Sequence, residues 1–185
     1  VFVIAPAIDH EKSELVLESG IKVLRVPTLK LFGTGKIIKG ISNLLLPRQF
    51  KRALKRHKVD LDFDLIIMPT PPITLIDLGM WLKKRSGGKL YLILRDIFPQ
   101  NAVDLKMMKP NSLIHKYFRN KEIQLYKGSD SIGCMSQANI NYVLEHNKYL
   151  EPTKMHLLPN WENIHDVDYG HDDEDQIREK YGLKH

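Results

Sequence analysis

The tightest constraint on the fold is an alternation of short apolar, β-branched runs with stretches of helical spacing. Residues 1–5 (VFVIA), 65–68 (LIIM), 90–94 (LYLIL), 131–135 (SIGCM) and 155–158 (MHLL) read as strands, several of them apolar on both faces. Helical spacing fills 35–46, 49–57, 74–85, 112–126 and 137–146, with Pro47 separating the first two stretches. Buried strands separated by helices predict an α/β domain, a doubly wound and mostly parallel sheet. Residues 14–26 alternate differently: Leu15 and Leu17, then Ile21 and Val23, flank Ser19-Gly20, which predicts a hairpin or two short edge strands.

A chain of 185 residues with 43% apolar content fits one domain with a buried core and excludes low-complexity disorder. The single cysteine, Cys134, has no internal partner for a disulfide, which points to a reducing compartment. No apolar run approaches the ~18 residues of a membrane span. The sequence starts at Val1, already inside a strand pattern, and the start reads as a cut through a longer protein.

The formal charge of +6 is unevenly spread. Residues 19–59 hold no Asp or Glu but include Arg25, Lys36, Lys39, Arg48, Lys51, Arg52, Lys55 and Arg56, whereas 162–175 is acidic with no Lys or Arg. Within the basic block, Ile37, Ile38, Ile41, Leu44 and Leu45, then Phe50 and Leu54, recur at helical spacing. One reading is a surface helix with its stripe in the core. A second is a peripheral contact of Lys36, Lys39, Arg48, Lys51, Arg52 and Lys55 with anionic lipid, which attracts each nearby cation by about 1 kcal/mol. Nucleic acid is a third, disfavoured because only Phe32 and Phe50 lie near enough to stack on bases.

Open α/β sheets bind ligands beyond the carboxyl ends of their strands, so the informative residues follow each run. They are Pro69-Thr70-Pro71-Pro72, the segment from Arg95 to Gln100, Ser136-Gln137, and Pro159-Asn160-Trp161. Asp96 is the foremost candidate for chemistry: a carboxylate beyond a buried strand can take a proton from an attacking hydroxyl. The competing role is an ion pair with Arg95 or a cap for a helix beginning near Pro99. Ser136 suits the cap of the helix from Gln137, whose amino end also favours an anion. Gly33-Thr34-Gly35-Lys36 fails as a phosphate loop, since Lys30 stands at its first glycine and Ile37 where a hydroxyl must meet magnesium. The histidines are scattered, His165 and His171 lie in the acidic stretch, and no metal-binding spacing accompanies them.

In chain order, DLIIMPTPP (64–72), LRDIFPQ (94–100), EIQLY (122–126), SIGCMS (131–136) and LPNW (158–161) resemble the N-terminal domain of family 4 glycosyltransferases of the GT-B fold. The nearest subgroup is that of the bacterial enzymes building capsule, O-antigen and exopolysaccharide repeat units. The resemblance spans nearly the whole chain.

It implies a retaining enzyme that moves a sugar from a nucleotide sugar, its co-substrate, to an acceptor hydroxyl without a bound metal or other cofactor. It also implies a lipid-linked or oligosaccharide acceptor, and a cytoplasmic, peripheral position on the inner face of the plasma membrane. Nucleic acid is not among the implied partners. Residues 1–173 would form the Rossmann-like acceptor domain without its first strand. IREKYGL (177–183) is similar to the family's linker, so 174–185 would open the linker to a donor-binding domain, and the fragment alone would be inactive. By position, Asp96 is the expected catalytic residue, with Thr70, Pro71, Arg95, Gln100, Ser136 and Asn160 around the acceptor. Many members carry His-Asp where this chain has Arg95-Asp96, so the histidine's role does not pass to Arg95. The alternative is a non-catalytic, membrane-docked subunit of the same fold that recruits a catalytic partner.

Overall fold

The structure, a computed structural model, describes residues 1–7, 11–29, 36–160 and 174–182, except the side chains of 36–39, 41 and 174–177. The strands are β1 (Phe2–Ala7), β2 (Glu14–Glu18), β3 (Ile21–Pro27), β4 (Leu65–Thr70), β5 (Lys89–Leu94), β6 (Ser131–Cys134) and β7 (Met155–Leu157). The helices are α1 (Lys36–Arg56), α2 (Ile76–Ser86), α3 (Gln100–Asp104), α4 (Leu113–Gly128), α5 (Gln137–His146) and α6 (Glu174–Tyr181). The architecture is α/β, with an all-parallel sheet in the order β4-β5-β6-β7 flanked by helices, as in Rossmann-like folds.

The described strands form two sheets where the sequence suggests one. In the second, β1 pairs parallel with β3, and β2 closes a hairpin on β3 through Ser19-Gly20, both with positive φ. Leu24 and Val26 of β3 nevertheless share a core with Ile66 and Met68 of β4 and with Leu90 and Leu92 of β5. β4 also departs from the expected two-sided burial. Ile66, Met68 and Thr70 face the core, whereas Leu65 and Ile67 are more than half exposed, because α2 packs on one face of β4 and the other stays open.

The separation of α1 into two helices at Pro47 does not occur: the helix runs through it. A proline inside a helix removes the bond to the carbonyl four residues back, here that of Asn43. The Thr74 hydroxyl, 2% exposed, donates to the Asn43 carbonyl at 2.6 Å and supplies a substitute partner. Thr74→Val keeps the shape and leaves that carbonyl unsatisfied, so a loss of about 1–3 kcal/mol is expected in chemical denaturation. An unchanged midpoint would mean that the carbonyl finds another donor.

The stripe of α1 enters the core through Leu46, Phe50, Ala53 and Leu54, while Leu44 is exposed. Lys51 places its ammonium 4.8 Å from the centre of the Trp81 ring and Lys55 lies 6.0 Å from it, so both cations lean on α2.

A buried polar network joins α4 to the end of α5. Glu122, 3% exposed, is ion-paired with Arg119 and bonded to the Tyr126 hydroxyl. Arg119 also donates to Asn147 Oδ1 at 2.7 Å and to the His146 carbonyl at 3.2 Å, and the Tyr149 hydroxyl donates to the same Asn147 oxygen at 2.9 Å.

Candidate functional site

Parallel strands in one sheet bring their carboxyl ends to a common edge, and the loops leaving that edge enclose space. A cavity of about 370 Å³ lies there, lined by Pro69, Thr70 and Pro71 after β4, Arg95 and Asp96 after β5, Met135 after β6 and Asn160 after β7. Six residues singled out from the sequence, Pro69, Thr70, Pro71, Arg95, Asp96 and Asn160, thus meet although the chain between the first and last is long.

Thr70 is 4% exposed and acts as a tie between two of these loops. Its hydroxyl donates to the Ile93 carbonyl at 3.4 Å and accepts from the Arg95 amide at 3.3 Å, which holds the backbone of Arg95 against the end of β4. The Leu158 amide bonds to the Cys134 carbonyl at 2.7 Å and carries the pairing of β6 and β7 up to the Asn160 segment. The peptides before Pro71, Pro72 and Pro99 are cis.

Arg95 and Asp96 are both exposed. Neither competing role for Asp96 is realised among the described residues. Its carboxylate makes no ion pair with Arg95, and the cap position of α3 is Pro99, which receives no side-chain bond. A guanidinium and a carboxylate therefore stand open on one polar-edged cavity, suited to hydrogen-bonding hydroxyl groups or an anion.

Gln100 and Ser136 do not line the cavity. Gln100 donates to Asp104 Oδ1 at 2.8 Å, along α3. Ser136 caps α5 by accepting the Asn139 amide at 3.2 Å. In the sequence Met135 reads as the end of a strand; β6 stops at Cys134, which turns Met135 into a rim residue. Behind it, burial pushes the Cys134 thiol up to about 11.

Of the cations assigned to a membrane contact, Arg48 is exposed, and Arg52 lines a shallow cavity of about 200 Å³ with Lys12, Ser13 and Arg56. The side chains of Lys36 and Lys39, the Gly33–Gly35 loop, Trp161 and most of the acidic stretch lie outside the described residues. Among the described residues, no group of three or more histidine, cysteine or acidic side chains is suited to a metal ion, and no helix is long and apolar enough to cross a membrane.

Another charged cluster lies at the opposite, amino end of the sheet. Asp130 meets Lys83 at 2.6 Å and the Leu90 amide at 2.8 Å; burial raises its pKa, but these partners outweigh that and lower it overall. That cluster ties β5 to α2 and faces no cavity in common with Asp96.

No protein-family model and no curated protein matches this chain.

Proposed function

We propose that this chain is the acceptor-binding, N-terminal portion of a retaining glycosyltransferase of the GT-B type. In this reading a sugar passes from a nucleotide sugar to a saccharide acceptor, lipid-linked or free, in the synthesis of a cell-surface polysaccharide. The observation that carries the reading is the cavity at the carboxyl edge of β4 to β7, where Asp96 stands beside Arg95 and has no ion-pair partner among the described residues. The resemblance of the five motifs adds to it, since four of them, 64–72, 94–100, 131–136 and 158–161, run to or past that edge.

In this role Asp96 takes the proton of the attacking hydroxyl, Arg95 and Asn160 orient neighbouring hydroxyls, and the Pro69–Pro71 turn forms a stiff wall. The donor and its ligands belong to the second domain of the proposed enzyme. No metal is required of the residues around the cavity.

The test is a screen of nucleotide sugars and saccharide acceptors on the intact enzyme, read as transferred sugar and as the anomeric configuration of the product. Transfer with retention, weakened by Arg95→Ala mainly through KM for the acceptor, is the expected result. Saccharides that perturb the amides of residues 70, 95 and 160 without any transfer would favour the non-catalytic subunit. Saccharide binding that leaves these amides unperturbed would remove the cavity from the function.

A further inference from the structure

Between Asp104 and Glu122 the chain has no acidic residue but carries Lys106, Lys109, Lys116, Arg119 and Lys121. The same elbow, from the end of α3 into α4, is the most exposed apolar segment described. Leu113 is 85% exposed, Leu105 70%, Ile114 62%, Met107 59% and Tyr117 43%. Leu113 and Tyr117 stand one helical turn apart with Ile114 beside them, so their side chains share one side of the first turns of α4.

Exposed aliphatic side chains normally occur singly, and a cluster of them marks a surface that meets something else. The cations decide what that is. Arg119 and Lys121 are engaged, with Glu122 and with Asp77, but Lys106, Lys109 and Lys116 are exposed and make no ion pair among the described residues. Aliphatic groups that favour acyl chains, interleaved with unpaired ammonium groups that favour phosphate headgroups, match an anionic lipid surface in both respects.

The elbow is coupled to the cavity. Phe98, three residues from Arg95, packs edge-on against Phe118 with ring centres 4.9 Å apart, and Phe118 packs against Tyr117 at 5.2 Å. α3 spans only Gln100–Asp104, roughly 7 Å of helix, between the loop that carries Asp96 and Leu105.

We propose that the α3–α4 elbow, centred on Leu105, Met107, Leu113 and Ile114 with Lys106, Lys109 and Lys116, is a membrane-docking surface that seats the cavity rim at an anionic leaflet. This places the contact away from the second half of α1, where Leu46, Phe50, Ala53 and Leu54 are buried in the core. The inference rests on the lipid-linked acceptor of the proposed function and on no sugar chemistry, so loss of vesicle binding and loss of transfer are read separately.

The experiment is co-sedimentation of the intact protein with vesicles of phosphatidylglycerol and phosphatidylcholine in equal parts, against vesicles of phosphatidylcholine alone. Binding to the anionic vesicles that weakens with added salt is expected. Leu113→Asp with Ile114→Asp, and separately Lys106→Glu with Lys109→Glu and Lys116→Glu, should each weaken it by about tenfold or more. Both sets change exposed side chains, so an unchanged melting temperature verifies the fold. Leu113→Trp adds a direct readout: a blue shift of its emission on adding anionic vesicles. The proposal is overturned if both elbow sets bind as the parent does, if Arg48→Glu with Arg52→Glu abolishes binding in their place, or if the elbow mediates self-association and no vesicle is bound.

Discussion

Asp96→Asn is expected to lower turnover by about 100-fold or more in the intact enzyme while leaving the melting temperature within a degree or so of the parent. The first half follows from the role: an amide of the same shape cannot take the proton of an attacking hydroxyl, and general-base groups are worth about 10² to 10⁴ in rate. The second half follows from the surroundings. Asp96 is exposed, and among the described residues its carboxylate caps no helix and pairs with no cation, so the folded state loses little when its charge is removed. The loss should fall on kcat more than on KM, in contrast to Arg95→Ala. Unchanged turnover would take Asp96 out of the chemistry, and a matching fall in stability would show that its role is structural.

Arg119→Ala is expected to cost about 3–5 kcal/mol at neutral pH, the largest stability effect among the substitutions considered. Its partner Glu122 is 3% exposed, and a carboxylate that deep cannot turn to water when its cation is removed. Burial already pushes the Glu122 carboxyl above its ordinary range, and the bonds from Arg119 and Tyr126 offset only part of that push. For Arg119 burial acts downward, but the bond and charge of Glu122 raise its pKa overall. The pH dependence has a definite sign. A carboxyl whose folded pKa lies above its unfolded value binds its proton more tightly in the folded state. Its contribution is therefore fullest below the unfolded pKa and declines as pH rises through the folded one. Without Arg119 that decline deepens, so the variant should recover part of its lost stability on acidification. Glu122→Gln should cost less than Arg119→Ala, because Arg119 keeps Asn147 and the His146 carbonyl and is 31% exposed. Denaturant titrations at two pH values measure all three, and a loss for Arg119→Ala that is the same at both would exclude Glu122 as its cause.

Strand and helix positions were legible where local chemistry and tertiary packing agree. Ser112 and Ser136 cap α4 and α5 through amides three residues on, and α5 matches the expected 137–146. The course of α1 was not legible, since the donor that makes Pro47 tolerable belongs to Thr74, on another element. Lys51 and Lys55 likewise read as free cations until Trp81 is placed beneath them. α3 is too short to show a period. At the site, the rule that ligands sit beyond strand ends gathered Thr70, Arg95, Asp96 and Asn160. It could not tell which side chains turn inward, and Gln100 turns along α3 and Ser136 back onto α5. The elbow is illegible in the sequence for a different reason: leucine, isoleucine and methionine beside a helical period look like core, and only their exposure separates them from it.

The bond from Thr74 to the Asn43 carbonyl has a consequence for descent. Position 74 needs a hydroxyl only while position 47 is a proline; once an ordinary residue there restores the helical amide, threonine is released. In related sequences the two positions should therefore change together, with Ser or Thr at 74 wherever 47 is Pro. Lineages that lost the proline first would tolerate Val or Ala at 74, whereas those that lost the hydroxyl first would carry the cost of an unsatisfied carbonyl in the interim.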